Sequence, residues 1–298
     1  MFKASLLVYS IFTLPLMAIT IQDSNLSSYV TGSSNYTGVV EITFQEGGNG
    51  YLCSGALIAS TYILTAGHCV NGASNWQVTF QTASGTSTLG VSNSYLEPLF
   101  SAYPSGNLSS LYAYDVAVLQ LSSAAPSDAT IYGVDTNFAG VTVGQTALTL
   151  VGYGLGGNPS VGIETYGTRR AAQQVVQSVA SSLYGVSTPD NPLIMTMSFP
   201  SSEPAANAPK AGYGLINGGD SGGPALLGNT IVGINDFGDL PSSGNYQSGV
   251  QYLTGEQNLS NASIGAFVTQ FVATPEPATM LLGACGIIAL AALRRRQA

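Results

Sequence analysis

Charge is what this sequence has least of. Asp, Glu, Lys and Arg together make up 7% of its 298 residues, where a globular chain carries about a quarter. Cations are the scarcer sign. There are seven Lys and Arg, three of them side by side at Arg294-Arg295-Arg296, and the formal net charge is −8. That excludes a nucleic-acid-binding surface, which draws its affinity from clustered Lys and Arg on phosphates. Histidine occurs once, at His68, and the three cysteines stand apart at Cys53, Cys69 and Cys285. A zinc site needs several such ligands at close spacing, so no metal is expected, and no motif implies a cofactor. Three cysteines allow one disulfide with one left over, and a disulfide points to an oxidising compartment.

What the chain does have is apolar residues, 45% of the total, enough for a sizeable core. Its polarity comes from Ser, Thr, Asn, Gln and Gly. Both ends read as address labels. Lys3 precedes the apolar run Ala4–Met17 and then Ala18. A positive start, a short apolar stretch and a small residue make a secretory signal peptide over 1–18. The competing reading, a buried N-terminal helix, is opposed by Pro15. At the other end Thr274-Pro275-Glu276-Pro277-Ala278-Thr279 leads into apolar residues up to Leu293 and then the three arginines. The apolar stretch is short for a membrane span, and the arginines would hold it on the cytoplasmic side.

That order of parts resembles the PEP-CTERM sorting signal of Gram-negative bacteria. The resemblance implies that 274–298 is a sorting tail with a short transmembrane segment. It would anchor the chain transiently in the inner membrane until an exosortase-type enzyme cuts it and the protein reaches the cell surface or extracellular matrix. Signal peptidase and that exosortase would be its processing partners, and the membrane would be met only through the tail. A plain tail anchor is the alternative. Cys285, inside the apolar stretch, reads as a small apolar filler.

Between the ends the chain reads as mostly strand. Val39–Phe44, Tyr51–Ile58, Tyr62–Ala66, Trp76–Phe80 and Val116–Leu121 are short β-type runs in the first half. Ala147–Tyr153, Gln174–Val176, Leu193–Met197, Ile231–Ile234 and Val250–Leu253 follow in the second. Gly, Ser, Asn and Pro punctuate them, which predicts an all-β barrel or sandwich. One helix is predicted late, where Ile264, Phe267, Val268, Phe271 and Val272 keep helical spacing. Asn261 or Ser260 would cap it, and Thr274-Pro275 would end it. Gly152-x-Gly154-x-x-Gly157 matches a dinucleotide fingerprint in form only, because Pro159 stands where a capped helix should begin.

Three segments carry chemistry. Gly218-Gly219-Asp220-Ser221-Gly222-Gly223-Pro224 surrounds a serine with glycines, whose free backbone can approach a substrate and aim N–H groups at a developing oxyanion. A serine nucleophile also needs a base. His68, in Thr65-Ala66-Gly67-His68-Cys69, is the one imidazole available to shuttle a proton near neutral pH. Asp115, opening Asp115-Val116-Ala117-Val118-Leu119-Gln120-Leu121, could orient that imidazole and stabilise its cation. Taken singly, the three segments also read as a glycine-rich turn, a structural histidine and a strand-end aspartate.

Together, and in the order His, Asp, Ser, they resemble the chymotrypsin–trypsin family. Tyr51-Leu52-Cys53-Ser54-Gly55-Ala56-Leu57-Ile58, Leu150-Val151-Gly152-Tyr153-Gly154 and Val232-Gly233-Ile234-Asn235-Asp236-Phe237-Gly238 carry the likeness onward, so that it spans about Val39 to Val272. It implies two six-stranded antiparallel β-barrels, 19–140 and 141–273, with a terminal helix and an active site between them. It implies a Cys53–Cys69 disulfide, a His68, Asp115, Ser221 triad, and an oxyanion hole from the N–H groups of Gly219 and Ser221. The activity implied is that of an exported serine endopeptidase on protein or peptide substrates, with Phe237 and Gly238 pairing with the bound peptide. The rival expectations are an inactive protease-fold binding or matrix protein and a surface-structural protein.

Three positions refine or strain the likeness. Leu215 stands where trypsin-like members carry an aspartate for Lys or Arg side chains, so preference for an apolar residue before the cleaved bond is expected. Asp220 holds the place that pairs with a freshly cut N-terminal ammonium. No Lys or Arg lies between Lys3 and Arg169, so the expected source of that amine is signal-peptide removal near Ala18. Asp236 stands where the family usually has a serine bonded to the triad aspartate. Two carboxylates there repel unless one is protonated or turned away.

Overall fold

The structure is a computed structural model that describes residues 20–21, 29–102, 112–158, 162–163, 166–180, 182–183, 186–187, 193–198, 214–238 and 253–272. Its first half closes into a six-stranded antiparallel barrel. The ring runs Val39–Glu46, Asn49–Ala59, Tyr62–Thr65, Ala117–Leu121, Gly85–Leu96, Ser74–Thr82 and back to Val39–Glu46. Alternation sets the inward face. In Val39–Glu46, Val40, Ile42 and Phe44 are buried, while Glu41 and Thr43 between them are half-buried. Ile63, Leu64, Val78, Phe80, Val118 and Leu119 complete the interior, each such side chain contributing about 1.5–3 kcal/mol by leaving water.

Five strands of this barrel stand where their sequence pattern predicts them. Gly85–Leu96 was not among the expected strands, and the ring cannot close without it. Its large apolar residues, Leu89, Val91, Tyr95 and Leu96, are only half-buried among Gly, Ser, Thr and Asn, so its apolar alternation is weak. Pairing on both edges, with Ser74–Thr82 and with Ala117–Leu121, makes it a strand.

The second half is an eight-stranded sheet. Seven strands run in the order Arg170–Val175, Ala147–Gly152, Pro224–Leu227, Thr230–Gly238, Leu253–Asn258, Leu193–Ser198, Ser178–Ala180, and Gly133–Val134 lies beside Thr230–Gly238. The two end strands are consecutive in the chain, parted only by Val176 and Gln177. Counted as one bent strand, they curl the path into a ring of six, closed by covalent chain rather than by a hydrogen-bonded seam. The expected Gln174–Val176 is the end of a longer strand from Arg170. The expected Val250–Leu253 begins outside the described residues, and the strand runs on to Asn258.

The helix forms at Ala262–Val268, with Asn261 as its cap: the side-chain carbonyl accepts from the N–H groups of Ser263 and Ile264 and satisfies two orphan donors. It ends before the predicted Thr274. Phe271 leaves the helix and packs its ring against Tyr62, Tyr95 and Phe267, which pins the second half's tail to the first barrel. Tyr153 ties the halves again through its hydroxyl, which donates to the Val39 carbonyl at 3.2 Å. Among the described residues no helix is long and apolar enough to cross a membrane. The expected signal peptide and the expected transmembrane segment of the tail lie outside them.

Candidate active site

His68 follows directly on the barrel strand Tyr62–Thr65, and Asp115 directly precedes its neighbour Ala117–Leu121. Antiparallel pairing therefore brings the two residues to the same end of adjacent strands. The Asp115 carboxylate accepts the His68 backbone N–H at 2.6 Å and lies 2.5 Å from the ring Nδ1. Both bonds need a close approach of the two loops. A Cβ on Gly67 would sit 2.6 Å from the Phe100 ring and 3.0 Å from Asp115 Oδ1, so only glycine fits before His68. Asp115 is fully buried, and the imidazole is a quarter exposed. With Nδ1 turned to Asp115, Nε2 is the ring nitrogen left to face a substrate.

The electrostatics suit a base. Burial opposes the imidazolium, but the Asp115 charge and hydrogen bond, with a smaller push from Glu46, outweigh it and hold the His68 pKa above its ordinary value. Burial likewise works against the Asp115 carboxylate. His68, by charge and by ring and backbone hydrogen bonds, together with a hydrogen bond from Asp236, holds it below its ordinary value.

Ser221 lies in the turn between Gly214–Leu215 and Pro224–Leu227, and both halves hold that turn. Its carbonyl accepts the Ser54 N–H at 2.8 Å and lies 3.8 Å from Cys69 Sγ. On the other side Gly222 N–H donates to the Asn235 carbonyl, and Asn235 N–H donates to that of Gly223, both at 2.8 Å. Cys69 is bonded to Cys53 in the expected disulfide, with Cα atoms 6.3 Å apart. The Ser221 carbonyl thus lies against the residue after His68, while Gly222 and Gly223, which follow Ser221, bond the residue before Asp236. Gly219 takes φ +93°, a conformation that favours glycine. Among the described residues, neither the Gly219 nor the Ser221 N–H is taken up by an acceptor.

Ser54 is a residue the sequence reading passed over. Fully buried, it donates its hydroxyl to the Gly219 carbonyl at 2.8 Å and accepts the Tyr153 N–H at 2.9 Å. Thr65 in turn donates to the Ser54 carbonyl at 2.8 Å. Nothing in its place in a Cys-Ser-Gly run sets it apart from the chain's many other serines. The remaining expected residues fall around this centre. Asp220 is buried, its carboxylate accepting N–H groups from Gly154 at 3.1 Å and Asn217 at 3.0 Å. Leu215 is buried and paired with Thr20. Phe237 is half-buried and Gly238 exposed, at the end of the strand that carries Asp236. Beside Gly219 a cleft of about 530 Å³ opens among Phe44, Tyr51, Leu52, Asn75 and Tyr166. Two sets of possible metal ligands converge here. In one the cysteines are spent on the disulfide. In the other His68, Asp115 and Asp236 are engaged with one another.

The trypsin family profile matches residues 25–258. The chain belongs to the trypsin family. That family is one of serine-type endopeptidases. Serine protease SP24D of Anopheles gambiae is 28% identical over 192 residues, 64% of this chain and 64% of that protein. Brachyurin of Leptuca pugilator is 28% identical over 188 residues, 63% of this chain and 76% of that one. The match thus takes in somewhat less than two thirds of the first relative's length. In fold, the chain superposes on HL collagenase with a TM-score of 0.57 at 17% identity, covering 81% of this chain and 96% of that one. Neuropsin, a serine protease expressed in the limbic system of mouse brain, gives 0.57 at 17%, covering 81% and 98%. The PEP-CTERM protein-sorting motif matches residues 273–296, a signal that goes with export and surface localisation in Gram-negative bacteria.

Proposed function

We propose that this protein is an exported serine endopeptidase in which Ser221 is the nucleophile, His68 the general base and acid, and Asp115 the group that orients His68. The observation that carries the reading is the His68–Asp115 pair set against the turn that holds Ser221. Ser221 Oγ attacks the scissile carbonyl carbon as its proton passes to His68 Nε2. The carbonyl electrons move onto oxygen, where the N–H groups of Gly219 and Ser221 meet them. Collapse of that intermediate breaks the C–N bond, and His68 returns the proton to the leaving amine. Water then repeats the sequence on the acyl-enzyme. Asp115 stays ionised throughout and stabilises the imidazolium.

Phe237 and Gly238 form the edge that pairs with the acyl side of the peptide. The cleft beside Gly219 receives residues that follow the cut bond. With Leu215 in place of an acid, the residue before the bond is apolar. A peptide-library profile dominated by Lys or Arg would overturn that preference.

Activation follows from export. Cleavage near Ala18 leaves Ile19 or Ile21 near the new terminus, and Thr20 between them pairs with Leu215 on the segment leading to Asp220. The new ammonium meets the buried Asp220 carboxylate there. N-terminal sequencing of active enzyme checks this, and an active form beginning elsewhere or with a blocked amine overturns it. The sorting tail, with its short transmembrane segment, anchors the chain in the inner membrane until an exosortase-type enzyme removes it. The catalytic reading itself is tested by labelling the mature protein with a fluorophosphonate and mapping the adduct by mass spectrometry, with Ser221→Ala as control. Labelling at Ser221 alone is expected. Folded protein with a free amine at Ile19 or Ile21 that takes no label would instead favour a binding or matrix role.

A further inference from the structure

Asp236 is buried, with 6% of its surface exposed, and its carboxyl lies beside that of Asp115. The His68, Asp115 and Asp236 ligand atoms all lie within 4.8 Å of one another. Two carboxylates have only acceptor atoms and cannot bond each other unless a proton sits between them. The surroundings decide which one holds it. Asp115 already accepts two N–H donors from His68, at 2.6 and 2.5 Å. Asp236 has one donor, the Gln257 side-chain amide at 2.7 Å. A neutral carboxyl offers one acceptor oxygen and one O–H. Asp236 has a neighbour for each, because Gln257 gives and Asp115 takes.

We propose that Asp236 is a positioning residue that works as a neutral carboxylic acid, its O–H donating to the Asp115 carboxylate and so holding the Asp115–His68 pair in place. This rests on the catalytic reading of His68, Asp115 and Ser221. The acid takes the part of a hydroxyl donor while Gln257, from the neighbouring strand Leu253–Asn258, fixes its rotamer. Proton and charge cannot be traded freely here. An ionised Asp236 would lose its bond to Asp115, repel it, and add a second negative charge that keeps His68 protonated when it should accept a proton.

Of the titratable groups facing Asp236, the carboxylates favour its neutral form, and the His68 ring opposes it only while it carries a proton. Burial does most and the Asp115 charge adds to it, while Glu256 on the Gln257 strand would add a like charge only if it were ionised. The Gln257 amide opposes, and the Asp236 pKa stands well above the ordinary carboxylate value. Asp115 reports the opposite shift, as the partner that stays ionised.

The experiment has two arms. In the first, folded protein carrying carbon-13 in its aspartate carboxyls is titrated by NMR, as wild type and as Asp236→Asn. One aspartate should keep the chemical shift of a neutral acid at pH 7, and that signal should be missing from Asp236→Asn. A wild type with every aspartate ionised at pH 7 overturns the proposal. This arm reads the proton without needing activity, so it stands even if Ser221 takes no label and the catalytic reading falls.

In the second arm, fluorophosphonate inactivation rates are compared across variants. Asn and Ser at 236 can both donate to Asp115, and they should keep the rate within about threefold of wild type. Asp236→Ala cannot donate and should lose on the order of tenfold or more, because the base is no longer held in register. Asp236→Asn should also keep its rate to higher pH than wild type. Rates for Asp236→Asn and Asp236→Ser that both collapse, in folded protein, overturn the proposal.

Discussion

Replacing Ser54 with alanine removes one oxygen and strands two backbone groups. The hydroxyl gives its proton to the Gly219 carbonyl and takes that of the Tyr153 N–H, at 2.8 and 2.9 Å. Ser54, Tyr153 and Gly219 are all buried, and the methyl group of alanine can serve neither partner. A buried backbone donor or acceptor left unpaired costs about 1–3 kcal/mol, so Ser54→Ala, which strands two, should lose about 2–6 kcal/mol of folding stability. That is a large part of the ~5–15 kcal/mol that holds a domain folded. The site should suffer separately. Ser54 pins the peptide that follows the Gly219 N–H, and its own N–H holds the Ser221 carbonyl at 2.8 Å. Loosening that peptide moves one oxyanion donor, so fluorophosphonate labelling of the folded variant should slow on the order of tenfold. Urea denaturation gives the first quantity and labelling kinetics well below the midpoint the second. A variant within ~0.5 kcal/mol of wild type that labels at the same rate would mean that the Ser54 hydroxyl does not bridge the halves.

The base should show itself in the acid limb of labelling. His68 has a raised folded pKa because Asp115 outweighs burial, so the rate should fall on acidification at a midpoint above 6.5, the ordinary histidine value. A midpoint at or below that value would refute it. Glu256 is fully buried and neither carboxyl oxygen finds a hydrogen bond among the described residues, and burial raises its pKa well above the ordinary value. The folded state therefore holds a proton that the unfolded state releases above about pH 4.5. Its contribution is fully present below that pH and is lost as pH rises toward the folded pKa. Glu256→Gln should flatten the decline of stability with rising pH in thermal melts, and an unchanged slope would count against a neutral Glu256. Arg169, 2% exposed, donates to Thr31 Oγ1, the carbonyls of Gly32 and Gln81, and the Tyr153 hydroxyl at 2.8–3.1 Å. Arg169→Met should destabilise by about 2–4 kcal/mol in urea, since those buried acceptors lose a fixed fork of donors. A loss under ~1 kcal/mol would refute that role.

The parts of the fold that could be read in advance are those whose residues are chosen by burial. Val39–Phe44, Tyr62–Ala66 and Val116–Leu121 each line a core, and apolar residues recur there with the period of a strand. Gly85–Leu96 was not read, because its few apolar residues, Leu89, Val91 and Tyr95, are diluted by Gly, Ser, Thr and Asn, and pairing on both edges makes it a strand. The helix was legible in position but not in length. Phe271 keeps helical spacing while packing against Tyr62 and Tyr95 from a turn, and spacing cannot tell those apart. At the site, His68, Asp115 and Ser221 stand in segments with local signatures, and the structure sets the first two in contact and the third beside them. Ser54, Gln257 and Arg169 have no local signature. Each acts through a partner at least 21 positions away, bonding Gly219, Asp236 and Thr31 across the fold, and only the topology brings those partners in.

The scarcity of cations explains why the site is built from protons and backbone amides. Buried carboxylates need a compensating charge or donors, and four acids, Asp115, Asp220, Asp236 and Glu256, are buried in or around this site. With Lys and Arg so few, none of the four has an Arg or Lys salt bridge among the described residues, and the ion pair found is that of His68 with Asp115. Each acid is therefore accommodated differently. Asp115 takes the His68 donors, and Asp220 takes the N–H groups of Gly154 and Asn217. Asp236 and Glu256, whose pKa values are both driven up by burial, keep their protons. A lysine or arginine in this interior would pair with Asp236 or Glu256 and draw a proton off it. If the acid so ionised were Asp236, Asp115 would lose the one donor that does not come from His68. The near absence of cations, the first thing visible in the sequence, is thus the condition under which a carboxylic acid can serve here as a hydrogen-bond donor.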